Sequence, residues 1–147
     1  NGTIVTSRYF LQPLEKVAKQ YGVRAIAVDL SDFQKELDII KELNTGSCVG
    51  IVSISPGLLR AAEVIIHSMR GGELIIMTAI SDNNSRLLSL LKASNQIVCD
   101  GPSLPVVENT LLKNRSQLMR LPQIICAKNY LSVETISHLK KEIGVVN

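Results

Sequence analysis

Hydroxyl, carboxylate and guanidinium side chains follow the apolar runs of this sequence of 147 residues. Ser7, Arg8 and Tyr9 lie at or just after the end of the first run, and Ser53 and Ser55 lie at or just after the end of the third. Later runs add Thr78, Asp100 and Asn129. An arginine near hydroxyls suits a carboxylate or phosphate, because its guanidinium can bind either group through two parallel hydrogen bonds. The residue types therefore predict a site for a small anionic ligand if the fold brings them together.

The elements that must position these side chains are short β-branched runs separated by helical patterns. The strand-like runs cover residues 3–7, 24–30, 48–54, 73–79, 96–100 and 123–127. Each is bounded by Gly, Pro, Asp or Ser, and amphipathic segments lie between them. This alternation predicts an α/β fold with three layers: a mostly parallel sheet of about six strands with helices on both faces, of the Rossmann or flavodoxin type.

Ligands of such sheets bind at the carboxyl ends of the strands, at the point where the strand order reverses. A flavodoxin-like order, 2-1-3-4-5-6, puts this switch point between the first and third strands. Ser7, Arg8, Ser53 and Ser55 would then face one crevice, together with the N–H groups of a helix that begins at Pro56. A simpler interpretation of Ser55 is also open, since serine before proline is a common way to cap a helix.

Known catalytic motifs are missing from the sequence. Ser53 stands where a nucleophile elbow ending in Ser55 would need glycine, and no glycine-rich phosphate loop is present. His67 and His138 fall on predicted helices, away from the strand ends. We therefore predict no catalytic residues and no enzymatic activity. The alternative is a small α/β enzyme that acts on a phosphorylated or carboxylated substrate.

Composition narrows the classes of partner. Sixteen basic and thirteen acidic residues are scattered along the chain, which does not indicate a nucleic-acid surface. No apolar run is long enough to span a membrane and no leader is visible, so we expect a cytoplasmic protein without a membrane partner. Cys48, Cys99 and Cys126 lie in or beside apolar runs, which predicts buried, reduced thiols. We expect no metal and no cofactor.

The helix predicted after Pro56 is more apolar than a surface helix. Its excess apolar surface predicts a homodimer interface formed by Leu58, Ala62, Ile65, Ile66 and Met69. The alternative is that neighbouring helices of the same chain bury these side chains.

Three segments carry a resemblance to a known family: "VTSRYF", "VGIVSISPGLLRAAEVIIHS" and "CAKNYLS". With them, nearly the whole chain resembles the C-terminal domain of a group of GntR-type transcriptional regulators of phototrophic bacteria. The resemblance implies a single effector-binding and dimerisation domain over residues 1–147, without the N-terminal winged helix, so that DNA would be bound only through that absent domain. It assigns no ligand residue. An oligomerisation module that binds no ligand is a further alternative.

Overall fold

The computed structural model describes residues 2–28, 33–128 and 131–144, in which strands and helices alternate. The strands are β1 Thr3–Ser7, β2 Arg24–Val28, β3 Cys48–Ser53, β4 Ile75–Ile80, β5 Gln96–Asp100 and β6 Gln123–Ala127. The helices are α1 Leu11–Gln20, α2 Gln34–Lys41, α3 Pro56–Arg70, α4 Asn84–Ala93, α5 Leu104–Lys113 and α6 Val133–Glu142. Every strand pairing is parallel. The predicted α/β class is confirmed.

The chain forms two compact units. The smaller unit comprises the described residues of 1–33 and 129–147, and in it β1 pairs with β2 while α1 packs against β2. The larger unit is Gln34–Lys128, and it contains a four-stranded sheet with helices α2 to α5.

The strand order in the larger unit is β4-β3-β5-β6. The predicted order, in which the fourth strand lies between the third and the fifth, is wrong: β3 lies between them and β4 forms an edge. Burial gives the physical reason, since all six residues of β3 are buried, whereas β4 leaves Ile75 57% exposed. After β3, the chain adds β4 on one side of this strand and β5 on the other. The switch point, where the strand order reverses, therefore lies between β3 and β5.

Apolar side chains cover both faces of this sheet. On one face they pack with α4 and α5, and the buried members are Val52, Ala79, Leu87, Leu90, Leu91, Ile97, Cys99 and Val107. On the other face they pack with α2 and α3, and the buried members are Ile40, Val49, Ile51, Leu59, Ile66 and Leu74. Successive residues of β3 alternate between the two clusters, as expected for a strand covered on both faces. The larger unit thus has the predicted three layers.

The three cysteines are free thiols, and the predicted burial is confirmed for two of them. Cys48 and Cys99 are buried, whereas Cys126 is partly buried. Burial, together with the neighbouring Cys126, raises the pKa of the Cys99 thiol to about 12. Cys99 therefore stays protonated at neutral pH and is a poor nucleophile.

Candidate functional site

The switch point of the larger unit brings two of the predicted site residues together. Ser53 ends β3 and Asp100 ends β5, and these neighbouring strands run in register, with Val52 opposite Cys99. Both side chains are 4% exposed. The loops that lead from these two strands into α3 and α5 meet around them, so this is where the fold places a candidate site.

The Asp100 carboxylate is held by donors from both loops. Its Oδ2 accepts from the Ser53 hydroxyl at 2.5 Å and from the N–H of Ile54 at 3.0 Å, while its Oδ1 accepts from the N–H of Ser103 at 2.8 Å. The Ser53 Oγ in turn accepts from the N–H of Ser55 at 2.9 Å. We call these five residues the Asp100 network. It ties the end of β5 to the segment that begins α3.

The network also keeps Asp100 ionised. Burial alone would raise the pKa of its carboxyl, but the Ser103 and Ser53 side chains and the N–H groups of Ile54 and Ser103 outweigh burial and hold the pKa below its ordinary value. The Ser103 hydroxyl is buried and forms no hydrogen bond of ordinary geometry among the described residues. The chain's own anion therefore occupies N–H groups that could otherwise bind an anionic ligand.

Ser55 caps helix α3, as its simpler interpretation predicts. Its Oγ accepts from the N–H of Leu58 at 3.3 Å, and its backbone is extended, as in most N-caps. Pro56 has no N–H to offer. Much of the donor capacity at this helix end is therefore used within the chain, and a ligand contact by Ser55 stays a prediction.

Thr78 lies within strand β4 and not beyond its end. Its hydroxyl donates to Oε1 of Glu63 on α3 at 3.2 Å, and its carbonyl accepts from Nε of Arg86 on α4 at 2.6 Å. Ser81 follows the strand instead, 8% exposed, and its N–H donates to the Ser53 carbonyl at 3.1 Å. Helices from both layers thus hold the middle of the edge strand through Thr78.

Other predicted ligand residues belong to the smaller unit. Ser7 ends β1, and its buried hydroxyl has no hydrogen-bond partner among the described residues. Arg8 is exposed and opens a 3-10 helix that also includes Tyr9, of which the backbone alone is described. Asn129 lies outside the described residues. A ligand role for these residues of the smaller unit stays a prediction from the sequence.

The predicted dimer residues of α3 point mostly inward. Ile66 is 3% exposed and belongs to the core, while Ala62 and Met69 pack against that core. Leu58 and Ile65 are half-buried. Val64 is the residue that sequence reasoning missed, since it is 52% exposed on this helix. Apolar periodicity could not reveal it, because apolar residues cover more of this helix than the single face that packs on the sheet.

The arrangement around Asp100 consists of hydrogen bonds within the chain. Its donors are one hydroxyl and two backbone N–H groups, without histidine, lysine or cysteine. His67 and His138 are exposed on α3 and α6. Within the described residues, no group of three or more His, Cys, Asp or Glu side chains could hold a metal ion. The sequence gives no sign that the backbone N–H groups of Ile54 and Ser103 bind Asp100, because every residue except proline has such a group.

A comparison with known protein families found a match. The family model described as the C-terminal domain of the cyanobacterial PlmA-type GntR regulator matches residues 35–128, more than half of the chain. These bounds nearly coincide with those of the larger unit, Gln34–Lys128. No curated protein matches the chain. None of the described helices is both long enough and apolar enough to cross a membrane.

Proposed function

Because the chain belongs to the family of C-terminal domains of cyanobacterial PlmA-type GntR regulators, we propose that it is a non-catalytic regulatory domain that senses a small ligand and dimerises. It would act in the cytoplasm and reach DNA through the winged-helix part of the regulator. The Asp100 network is the observation that supports this proposal. It joins the default ligand position of an open α/β sheet to the start of α3, the helix proposed to contact a second copy.

The mechanism follows from that connection. Ile54 lies two residues before α3, and its N–H is fixed by Asp100 at the end of the neighbouring strand. A ligand that favours one arrangement of this loop would favour one position of α3 and hence one packing of the dimer. By linkage, a ligand shifts this equilibrium only as far as its affinity differs between the two arrangements.

We expect the ligand to lie over the exposed part of the crevice, beside Ile54, whose side chain is 56% exposed. That the ligand is an anion stays a prediction from the sequence. Asp100 is ionised and uses both oxygens, so it leaves negative charge at this place. An anionic effector bound here therefore needs a cation from outside the Asp100 network.

Ligand binding at the crevice should be visible as thermal stabilisation. In a thermal-shift screen of carboxylates, phosphates and uncharged metabolites, we expect one class to raise the Tm as its concentration increases. At a hundred times its Kd, such a ligand adds about 2.7 kcal/mol to the free energy of unfolding. Ile54→Asp, which adds a charge at an exposed position, should abolish this shift.

Ile39→Asp on α2 is the matched control, since Ile39 is 41% exposed and lies outside the Asp100 network. It should retain the shift. Equal shifts in both variants would place the ligand elsewhere in the molecule and remove the crevice from the proposal.

Dimerisation is expected at a groove between α3 and β4. Glu63, Val64, His67, Ser68 and Ile76 line it, and its volume is about 550 Å³. Acidic Glu63 and the imidazole of His67 lie one helical turn apart around Val64, so the same groove on a second copy can present complementary groups. A twofold contact centred on Val64 would cover its exposed surface.

Val64→Glu should weaken the dimer by about tenfold or more, since burying an unpaired carboxylate costs more than the 1.4 kcal/mol to which a tenfold change corresponds. Sedimentation velocity over a concentration series measures this. Ile39→Glu is the control and should sediment like the original chain. A chain that stays monomeric at high micromolar concentration would contradict the dimer.

One observation favours the second candidate, an oligomerisation module that binds no ligand. The Asp100 carboxylate and its partner hydroxyl are almost fully buried, so the deepest part of the crevice is filled by the chain itself. This candidate predicts a dimer in sedimentation and no Tm response to any class of metabolite. The two measurements together therefore separate the candidates.

A further inference from the structure

Exposed apolar side chains gather on the larger unit between α5 and β6. Leu112 is 73% exposed, Leu121 is 53% exposed, and Met119 is as exposed as in an extended chain, at 104%. We call these three residues, together with Lys113 and Arg115, the α5–β6 patch. Single exposed apolar residues are ordinary, but three of them within ten positions of the chain need an explanation.

A groove runs along this patch. Apolar residues form most of its wall, namely Leu111, Leu112, Leu121, Pro122 and Ile124. Glu108 and Arg115 also line it, and the volume is about 390 Å³. Such a groove can accept one or two apolar side chains from a partner.

The segment around the groove is strongly basic. Residues 109–128 contain four cationic side chains and neither Asp nor Glu. Within the described structure, Lys113 and Arg115 form no ion pair with an acidic residue. Their charge is therefore available to a partner.

Two further cationic side chains, Arg120 and Lys92, form hydrogen bonds that hold the connection between α5 and β6. The guanidinium of Arg120 donates to the carbonyl of Ala93 at 3.0 Å and to Oδ1 of Asn95 at 3.3 Å. Lys92 donates to Oε1 of Gln117 at 3.0 Å. These bonds fasten the connection between α5 and β6 to the end of α4. Met119 is therefore presented on a segment that is anchored on both sides, which lowers the entropic cost of binding.

We propose that the α5–β6 patch docks an acidic segment of a partner protein, whose apolar side chains enter the groove and whose carboxylates face Lys113 and Arg115. A second copy fits less well, because a twofold contact of the patch would bring Lys113 and Arg115 close to the same two cations of the other copy. DNA fits the patch poorly, because a phosphate backbone would leave the apolar side chains of Leu112, Met119 and Leu121 uncovered. This inference goes beyond the ligand and dimer roles proposed above.

The test uses the whole chain and a labelled amphipathic peptide that presents leucines on one helical face and glutamates on the other. Fluorescence anisotropy should show binding that weakens as salt is raised. A matched peptide with lysine in place of each glutamate should bind at least about tenfold more weakly, because its charges repel the patch.

Two double variants locate the site. Lys113→Glu with Arg115→Glu should weaken binding by about tenfold at low salt, and the loss should shrink as salt screens the charges. Leu112→Ser with Met119→Ser should weaken binding by about tenfold at every salt concentration, since it removes apolar contact. Lys35→Glu with Ile39→Ser on α2 is the control for both and should change affinity less than about twofold.

Several outcomes would overturn the proposal. These are equal affinity of the two peptides, unchanged binding by the patch variants, and displacement of the peptide by duplex DNA at physiological salt. Conversion of the protein to monomers by Leu112→Ser with Met119→Ser would instead identify the patch as an interface between copies. Because these substitutions lie at exposed positions, an unchanged Tm confirms that each variant is folded.

Discussion

Replacing Asp100 with alanine is expected to lower the free energy of unfolding by about 3 kcal/mol or more, since each buried donor left without an acceptor costs roughly 1 to 3 kcal/mol. The substitution leaves the Ser53 hydroxyl and the N–H of Ile54 without an acceptor, whereas the N–H of Ser103 keeps its bond to the backbone carbonyl of residue 100 at 3.1 Å. Urea denaturation measures the loss. Asp82→Ala is the matched control, because Asp82 is exposed and should lose little.

The same carboxylate should make stability depend on pH. Its pKa is depressed in the folded state, so its contribution is fully present above the unfolded value of about 3.9. It is lost as the pH falls through the lower, folded pKa. Asp100→Asn should be less stable than the original chain at neutral pH, and the difference should narrow in acid. A difference that stays constant down to the lowest pH at which the chain is folded would refute an ionised Asp100.

Replacing Gly50 with alanine is expected to destabilise the larger unit by about 3 kcal/mol, at the upper end of what overpacking a core usually costs. A methyl group at this position of β3 would lie less than 3.0 Å from side-chain atoms of both Leu90 and Ser94. Neither of these residues has exposed surface, so neither can move aside into solvent. The central strand and α4 approach each other closely here because Gly50 has no side chain.

Gly72→Ala is the control, since no atom lies within 4 Å of the added methyl. Its Tm should stay within a few degrees of the original, whereas Gly50→Ala should lower it by roughly 6 to 12 °C, taking 2 to 4 °C per kcal/mol for a chain of this size. Combining Gly50→Ala with Leu90→Ala should cost less than the sum of the two changes, because the second makes room for the first. Strict additivity would show that the close approach is not the cause.

These two predictions bear on function through the Asp100 network. If Asp100 were present only as a cap for the loop before α5, its removal would cost stability and leave the dimer unchanged in the folded fraction. The proposed coupling to α3 predicts in addition that Asp100→Asn changes dimer affinity or its response to ligand. Sedimentation of the folded variant separates these interpretations.

The positions of the elements follow from local pattern. Three of the predicted strands, residues 3–7, 96–100 and 123–127, agree with β1, β5 and β6 at both ends. The predicted fourth strand, 73–79, is displaced from Ile75–Ile80, which moved Thr78 from the strand end into the strand. Local pattern places a buried run well, but its ends depend on contacts with distant residues, such as the bond from the N–H of Ile75 to Ser47.

The candidate site was only partly predictable. The position of Asp100 after a strand is visible in the sequence, and so is the proline that follows Ser55. That Asp100 would take its donors from Ser53 and Ile54 is not visible, because it depends on β5 lying beside β3. Two of the three donors to Asp100 are backbone N–H groups, which every residue except proline possesses, so no residue type marks them.

The sequence by itself therefore determined the α/β class, the number and approximate extent of the elements and the cap of α3, because each depends on residues close together in the chain. Only the tertiary structure decided the strand order, the position of the switch point and which side of α3 stays exposed at Val64. Those features depend on which buried surfaces pair with one another, and Ser53 and Asp100, which are far apart in the sequence, meet only when β3 takes the centre of the sheet.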